Sequence, residues 1–184
     1  MRTHHVRTSV LPAARPSIAP MTPEVLCALY AEKVCRFAAV VAGHDKDPED
    51  IAQDALLKAI RRLDRFDPAR GSMESWLWRI VANTAKDAMR KARVRALLTE
   101  RLGRGEPAVV DLEDVAVERL AAGELVDALA RLSPRDRQLL ALRFIADLDT
   151  ASVGAIVGLS AESARRAIGR ALDRLRFLVK GGMT

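Results

Sequence analysis

The sequence predicts an all-α protein of two small helical domains joined by a flexible linker, on three observations. Nearly half of it is hydrophobic (49%) but only 4% is aromatic, and Ala, Leu, Val and Arg dominate with few β-branched runs, a balance that favours helices over sheets. Apolar residues recur at helical spacing in two blocks, 22–95 and 123–184, separated by a polar interval over 96–122. The second block carries a helix-turn-helix pattern.

A chain of 184 residues is one ordinary domain or two small ones, so length alone does not choose. The net charge of +6 suggests an anionic partner such as nucleic acid. The two cysteines, Cys27 and Cys35, lack CxxC spacing and a His/Cys cluster, so neither metal nor cofactor is expected and both read as buried reduced thiols. No apolar run approaches the roughly 18 to 20 residues of a membrane span. The basic, Pro-containing stretch 1–21 lacks the apolar block of a signal peptide and reads as a disordered leader, with Met21 an alternative start. A cytoplasmic protein is the expectation.

In the first block, Asp47-Pro48-Glu49-Asp50 opens a helix: Asp47 caps, Pro48 takes the first helical position, and the acids face the positive end of the macrodipole. This helix is predicted to reach residue 63, with Ile51, Ala55, Leu56, Ala59, Ile60 and Leu63 facing inward. Its opposite stripe is Asp50, Gln53, Asp54, Leu57 and Arg61, in which Leu57 is anomalous. The stripe is a partner surface, or an ordinary solvated face with one stray Leu.

A loop over 65–71, with Phe66, Asp67, Pro68 and Gly71, leads to Ser72 as the cap of the next helix. Trp76, Leu77, Ile80, Val81, Ala85 and Ala88 form its predicted buried stripe. Its outer stripe of Arg79, Asn83, Lys86, Arg90 and Arg93 is basic, which fits phosphate contact or a solvated face. Trp76 and Trp78 fall on different faces: Trp76 is assigned to the core, while Trp78 either fills a second packing surface, the favoured reading, or stacks on an unpaired base.

The interval 96–122 contains Gly103, Gly105 and Pro107 and the acids Glu106, Asp111, Glu113, Asp114 and Glu118, the composition of a linker. Beyond it a short helix is predicted over 124–132. Ser133-Pro134-Arg135-Asp136 then caps another that runs through Leu139, Leu140, Leu142, Phe144 and Ile145. A third follows Asp149. Within it Gly154 permits close helix crossing, and in the turn after it Gly158 supplies positive φ, with Leu159 plugging the corner. The last helix turns Ala164, Ile168, Ala171, Leu172, Leu175 and Leu178 inward and exposes Glu162, Arg165, Arg166 and Arg170. Recognition helices read base edges with such residues, although a packed helical hairpin gives the same local pattern.

Together the blocks resemble the extracytoplasmic-function sigma factors, which keep only sigma region two and sigma region four. The resemblance rests on Asp47-Pro48-Glu49-Asp50-Ile51-Ala52-Gln53-Asp54, Arg65-Phe66-Asp67-Pro68, Trp76 to Asp87, Leu132-Ser133-Pro134-Arg135-Asp136-Arg137-Gln138 and the helix-turn-helix. It implies that Asp50, Gln53, Asp54, Leu57 and Arg61 dock on the clamp helices of the largest subunit of core RNA polymerase, with the flap as a second contact. It implies that Phe66, Asp67, Ser72 and Ser75, with Arg79, Asn83, Lys86, Arg90 and Arg93, capture the minus-ten element of promoter DNA as its strands separate. Ser160, Glu162, Ser163, Arg165, Arg166 and Arg170 are placed on the minus-35 duplex, and an anti-sigma factor is implied as a regulator. The acidic linker is either a transcript mimic or a plain tether. One departure stands out: where the family has an acid and then Ile-Ala, this chain has Ser152-Val153-Gly154, and the glycine weakens that helix by about 1 kcal/mol relative to alanine.

The main rival is a helix-turn-helix regulator that is not a polymerase subunit, but the first block carries no phospho-acceptor pattern or long heptad run. An enzyme is disfavoured, because His4, His5 and His44 are not grouped with carboxylates and no P-loop or dinucleotide motif is present.

Overall fold

The computed structural model describes residues 21–43, 47–101 and 118–181, all helices and turns. The predicted leader, apart from Met21, and most of the predicted linker lie outside them. The first unit is built of α1 (Pro23–Ala42), α2 (Pro48–Ile60) and α3 (Met73–Arg101), with 3-10 turns at Leu63–Arg65 and Pro68–Arg70 between the last two. The second holds α4 (Glu118–Arg131), α5 (Pro134–Phe144), α6 (Thr150–Val157) and α7 (Ala161–Gly181).

Local chemistry starts most of these helices. Asp47 accepts the N–H of Glu49 at 2.9 Å, with Pro48 next to it in the first turn. Ser133 accepts the N–H of Asp136 at 3.1 Å and Asp149 that of Ser152 at 2.7 Å, each satisfying a donor that the first helical turn leaves unpaired. The stops are less local. α2 ends at Ile60 rather than 63, because Arg62 leaves the helical region at φ −117°, ψ 6°; the following 3-10 turn keeps Leu63 against the core. α3 runs through 96–101, where composition predicted linker: no Gly or Pro interrupts it before Gly103.

Phe37 of α1 and Trp78 of α3 meet at 5.4 Å between ring centroids at the centre of the first unit. Trp78 is 1% exposed, whereas Trp76 is half-buried and packs edge-on against Phe66 at 5.6 Å. The assignment of Trp76 to the core and of Trp78 to a second surface is thereby reversed: the core of this unit lies where α1 crosses α3, on the Trp78 side. The expectation of two buried thiols also fails. Cys27 is half-buried and Cys35 exposed, because Val34, Phe37, Ala38 and Val41 take the inward face of α1.

The two units are not separate bodies. Leu139, Leu140, Ala141 and Leu142 are consecutive and all buried, so α5 is covered on nearly every side, the condition of a helix inside a core. α7 and α6 cover part of it and α1 the rest; α6 also packs on α3. One buried apolar cluster therefore runs through both units.

Candidate nucleic-acid interface

The outward row of α2 is fully displayed: Asp50, Gln53, Asp54, Leu57 and Arg61 are all exposed, Leu57 at 42%. Lys58 donates to Asp54 at 2.8 Å, so one of the two acids already carries a counter-charge. The row is an acidic and amide surface with one apolar residue near its middle.

The loop between α2 and α3 is held by its own side chains. Asp67 accepts the N–H of Ala69 at 2.9 Å, and Ser72 accepts the N–H of Ser75 at 3.1 Å while its hydroxyl donates to Ser75 Oγ at 3.0 Å. Phe66 anchors the loop on Trp76. Asp67 and Ser72 thus shape the loop as caps while remaining exposed, and Phe66 and Ser75 are only partly exposed. The aromatic pair beside the loop is Phe66 with Trp76, since Trp78 is sealed in the core. From the loop the basic row rises along α3: Arg79, Asn83, Lys86, Arg90 and Arg93 are all exposed, with Arg90 paired to Asp87 at 3.4 Å. Exposed cations at this spacing follow one helix face and suit a line of phosphates.

The helix-turn-helix comprises α6, the turn at Gly158 and α7. Gly158 sits at φ 73°, ψ 37° in the left-handed region, and its N–H returns to the carbonyl of Gly154, as does that of Leu159 at 2.9 Å. The role expected for Gly154 is sharper in the structure. A Cβ there would lie 2.7 Å from the carbonyl oxygen of Leu159, so the residue is small because the turn's own backbone folds onto α6. The 1 kcal/mol loss of helix propensity is therefore not removed by alanine, which would collide with that backbone.

Ser160 accepts the N–H of Ser163 at 3.2 Å and bonds its hydroxyl at 2.9 Å, capping α7. Within the first two turns Arg165 donates from Nε and Nη2 to both oxygens of Glu162, at 3.2 and 2.9 Å, and Arg166 approaches the same carboxylate at 3.9 Å. The hydrogen bonds from Arg165 hold the Glu162 carboxyl below its usual range. Arg170, a turn further on, is exposed and has no ion-pair partner among the described residues. This end of α7 presents three guanidinium groups, one of them braced, to solvent. Arg can bind guanine through two hydrogen bonds or clasp phosphate with the same fork.

Two polar residues of α5 escaped the sequence reading as site residues, Arg137 and Gln138. Arg137 is 6% exposed; it donates Nη1 to Ala130 O and Leu132 O, both at 2.9 Å, and Nε across to Val41 O of α1 at 3.2 Å. Gln138 donates to Ala82 O of α3 at 3.1 Å. The available signal was the position of Arg137 one turn before Leu140 and Ala141, on an apolar face.

Among the described residues no group of three or more His, Cys, Asp or Glu side chains could hold a metal ion, and no helix is long and apolar enough to cross a membrane.

Residues 26–95 match the family described as Sigma-70 region 2, and residues 128–176 the one described as Sigma-70, region 4. The RNA polymerase sigma factor CarQ of Myxococcus xanthus is 31% identical over 85% of this chain and 88% of its own length. The ECF RNA polymerase sigma factor BldN of Streptomyces coelicolor is 29% identical over 70% of this chain, a match spanning about half, 49%, of BldN. The sigma factor RpoE, in its complex with the anti-sigma factor NepR from Bartonella quintana, shares the fold with a TM-score of 0.69 at 24% identity, over 85% of this chain and 96% of that one.

Proposed function

The chain belongs to the extracytoplasmic-function RNA polymerase sigma factors, and from that premise we propose how its residues divide the work of promoter recognition. As a sigma factor it is a non-catalytic initiation factor: it binds core polymerase and directs it to promoters through minus-35 and minus-ten elements. A DNA-binding regulator outside the polymerase is not favoured, because the sigma region 2 match covers 26–95, most of the first unit.

The assignments place core binding on Asp50, Gln53, Asp54, Leu57 and Arg61, to which the polymerase clamp helices dock. The observation that carries this is Leu57, an apolar side chain left 42% exposed in an otherwise polar row. Residues 22–95, with the extension of α3 to Arg101, form the core- and minus-ten-binding unit, and 123–184, with α4 opening at Glu118, the minus-35 unit. The loop with Phe66, Asp67, Ser72 and Ser75 takes the minus-ten bases as they unstack, and Arg79, Asn83, Lys86, Arg90 and Arg93 hold the adjoining backbone. Ser160, Glu162, Ser163, Arg165, Arg166 and Arg170 read the minus-35 duplex. The protein works in the cytoplasm, where polymerase and promoter DNA are, and an anti-sigma factor is a partner by analogy with the RpoE complex.

Runoff transcription tests the reading. Core polymerase with this chain gives promoter-specific transcript, and Leu57→Glu loses it together with core binding while the helical circular dichroism is unchanged. Equal transcription from scrambled promoters refutes the function; an unchanged core affinity of the Leu57→Glu chain removes the α2 row from it.

A further inference from the structure

The second unit carries a groove that shares Ser163 and Arg170 with the proposed minus-35 surface and is otherwise unassigned. It lies between α7 and the corner where α4 gives way to α5, and its volume of about 890 Å³ is that of a small-molecule site. Ser163, Ala167, Arg170, Arg174 and Phe177 make one wall. Their three- and four-residue spacing is that of a single helix face, roughly 20 Å long at 1.5 Å per residue.

The charge of the groove is one-sided. Four guanidinium groups line it, those of Arg131, Arg135, Arg170 and Arg174, against the two carboxylates of Asp136 and Asp173, an excess of two positive charges. Both carboxylates are already answered, Asp136 by Arg174 at 2.9 Å and Asp173 by Arg176 at 3.0 Å. The side chains of Arg131, Arg135 and Arg170 have neither an ion pair nor a hydrogen bond among the described residues. Like charges around one concavity repel, and an anion held between them relieves the repulsion.

The lining is also apolar. Leu132, Leu139, Leu159 and Leu178 contribute to it. Phe177, the member of the wall nearest the C-terminal end of α7, is 77% exposed, more than any other large apolar side chain among the described residues. A line of duplex phosphates would answer the arginines and leave the leucines and the ring in water. A molecule that joins several phosphates to a flat aromatic ring answers both.

We propose that this groove binds a nucleoside polyphosphate, with its phosphates on Arg131, Arg135 and Arg170 and its base against Phe177, and that the bound molecule displaces the minus-35 duplex. Ser163 and Arg170 serve both surfaces, so ligand and duplex draw on the same groups, and by linkage each weakens the other by the same factor. The displacement rests on the sigma-factor reading; the binding itself does not.

The test is calorimetric titration of the full chain, at physiological ionic strength, with ATP, GTP, inorganic tripolyphosphate and adenosine. One or both nucleotides should bind at one site, at least about tenfold more tightly than tripolyphosphate or adenosine, each of which offers only half of the contacts. Arg131→Gln with Arg135→Gln, both at exposed positions, should cost about tenfold in nucleotide affinity and leave the helical circular dichroism and the affinity for a minus-35 duplex unchanged. Phe177→Ala should weaken nucleotide binding but not tripolyphosphate binding. Nucleotide should weaken duplex binding by the parent chain at concentrations that have no effect on the double variant. No nucleotide binding, tripolyphosphate binding as tight as nucleotide, affinity untouched by the double variant, or nucleotide that binds without weakening the duplex overturns the proposal. So does a double variant that loses duplex affinity with no nucleotide present, which assigns these arginines to the DNA backbone. A chain that binds nucleotide as expected but no minus-35 duplex strikes the sigma-factor reading instead.

Discussion

Arg174 of α7 places Nη1 2.9 Å from Oδ2 of Asp136, whose side chain is sealed under the first turn of α5 at 12% exposure. The same Asp136 donates its backbone N–H to Ser133. The recognition helix is thereby tied, across 38 positions of sequence, to the point where α5 begins. Because the arginine is half in water and the acid is not, removing the arginine strands a desolvated carboxylate. Arg174→Ala should lower stability by about 1–2 kcal/mol, while Asp136→Asn, which removes the charge, should cost less. Urea unfolding of the two single variants and the double variant measures the coupling; additive losses would show that the pair contributes nothing of its own.

The two tryptophans make a sharp contrast for the first unit. Trp78→Ala opens a cavity against Phe37 at the centre of the core and should destabilise by about 3–5 kcal/mol. Trp76→Ala, at the half-buried site against Phe66, should cost clearly less and instead reduce binding of single-stranded minus-ten DNA. Denaturant unfolding and fluorescence anisotropy separate the two effects.

Gly154 is predicted to reject alanine although alanine is the better helix former. The clash with Leu159 O is against backbone, which does not swing away as a side-chain tip does. Gly154→Ala should lose about 1–3 kcal/mol and disturb minus-35 binding. A gain in melting temperature would show that the turn relaxes.

Asp149 gives a pH signature. The N–H of Ser152, donated to its carboxylate, is the largest cause holding its pKa below the ordinary 3.8. A carboxyl with a lowered folded pKa contributes stability that is full above the unfolded value and is lost as pH falls through the folded one. The melting-temperature advantage over Asp149→Asn, whose amide oxygen still caps, should be constant near neutrality and shrink only in acid below about 3.8. An advantage that already fades between pH 5 and 7 would point to a different group.

Glu162 and Arg165 act as one reading unit in the proposed interface. Arg165→Ala should lose roughly ten- to hundredfold in affinity for one preferred minus-35 base and little for its replacements. Glu162→Gln, which weakens the brace, should blur the same position rather than another. Competition binding with single-base duplex variants decides: a uniform loss across sequences assigns Arg165 to phosphate.

Caps, turns and exposed rows were legible from the residues in order because each is settled within about four positions. Asp47, Ser133 and Asp149 each cap with a donor two or three residues ahead, and Gly158 needs only its own φ. The stripes of α2, α3 and α7 likewise follow from a 3.6-residue period, which places Leu57, Lys86 and Arg166 outward whatever surrounds them. Periodicity could not say which of Trp76 and Trp78 meets Phe37, since that depends on the angle at which α1 crosses α3. Nor could it say that Arg137 seats on α1, 96 positions away. Those choices belong to packing between helices distant in sequence, where the fit of one side chain into another helix's end, and not local preference, selects the state.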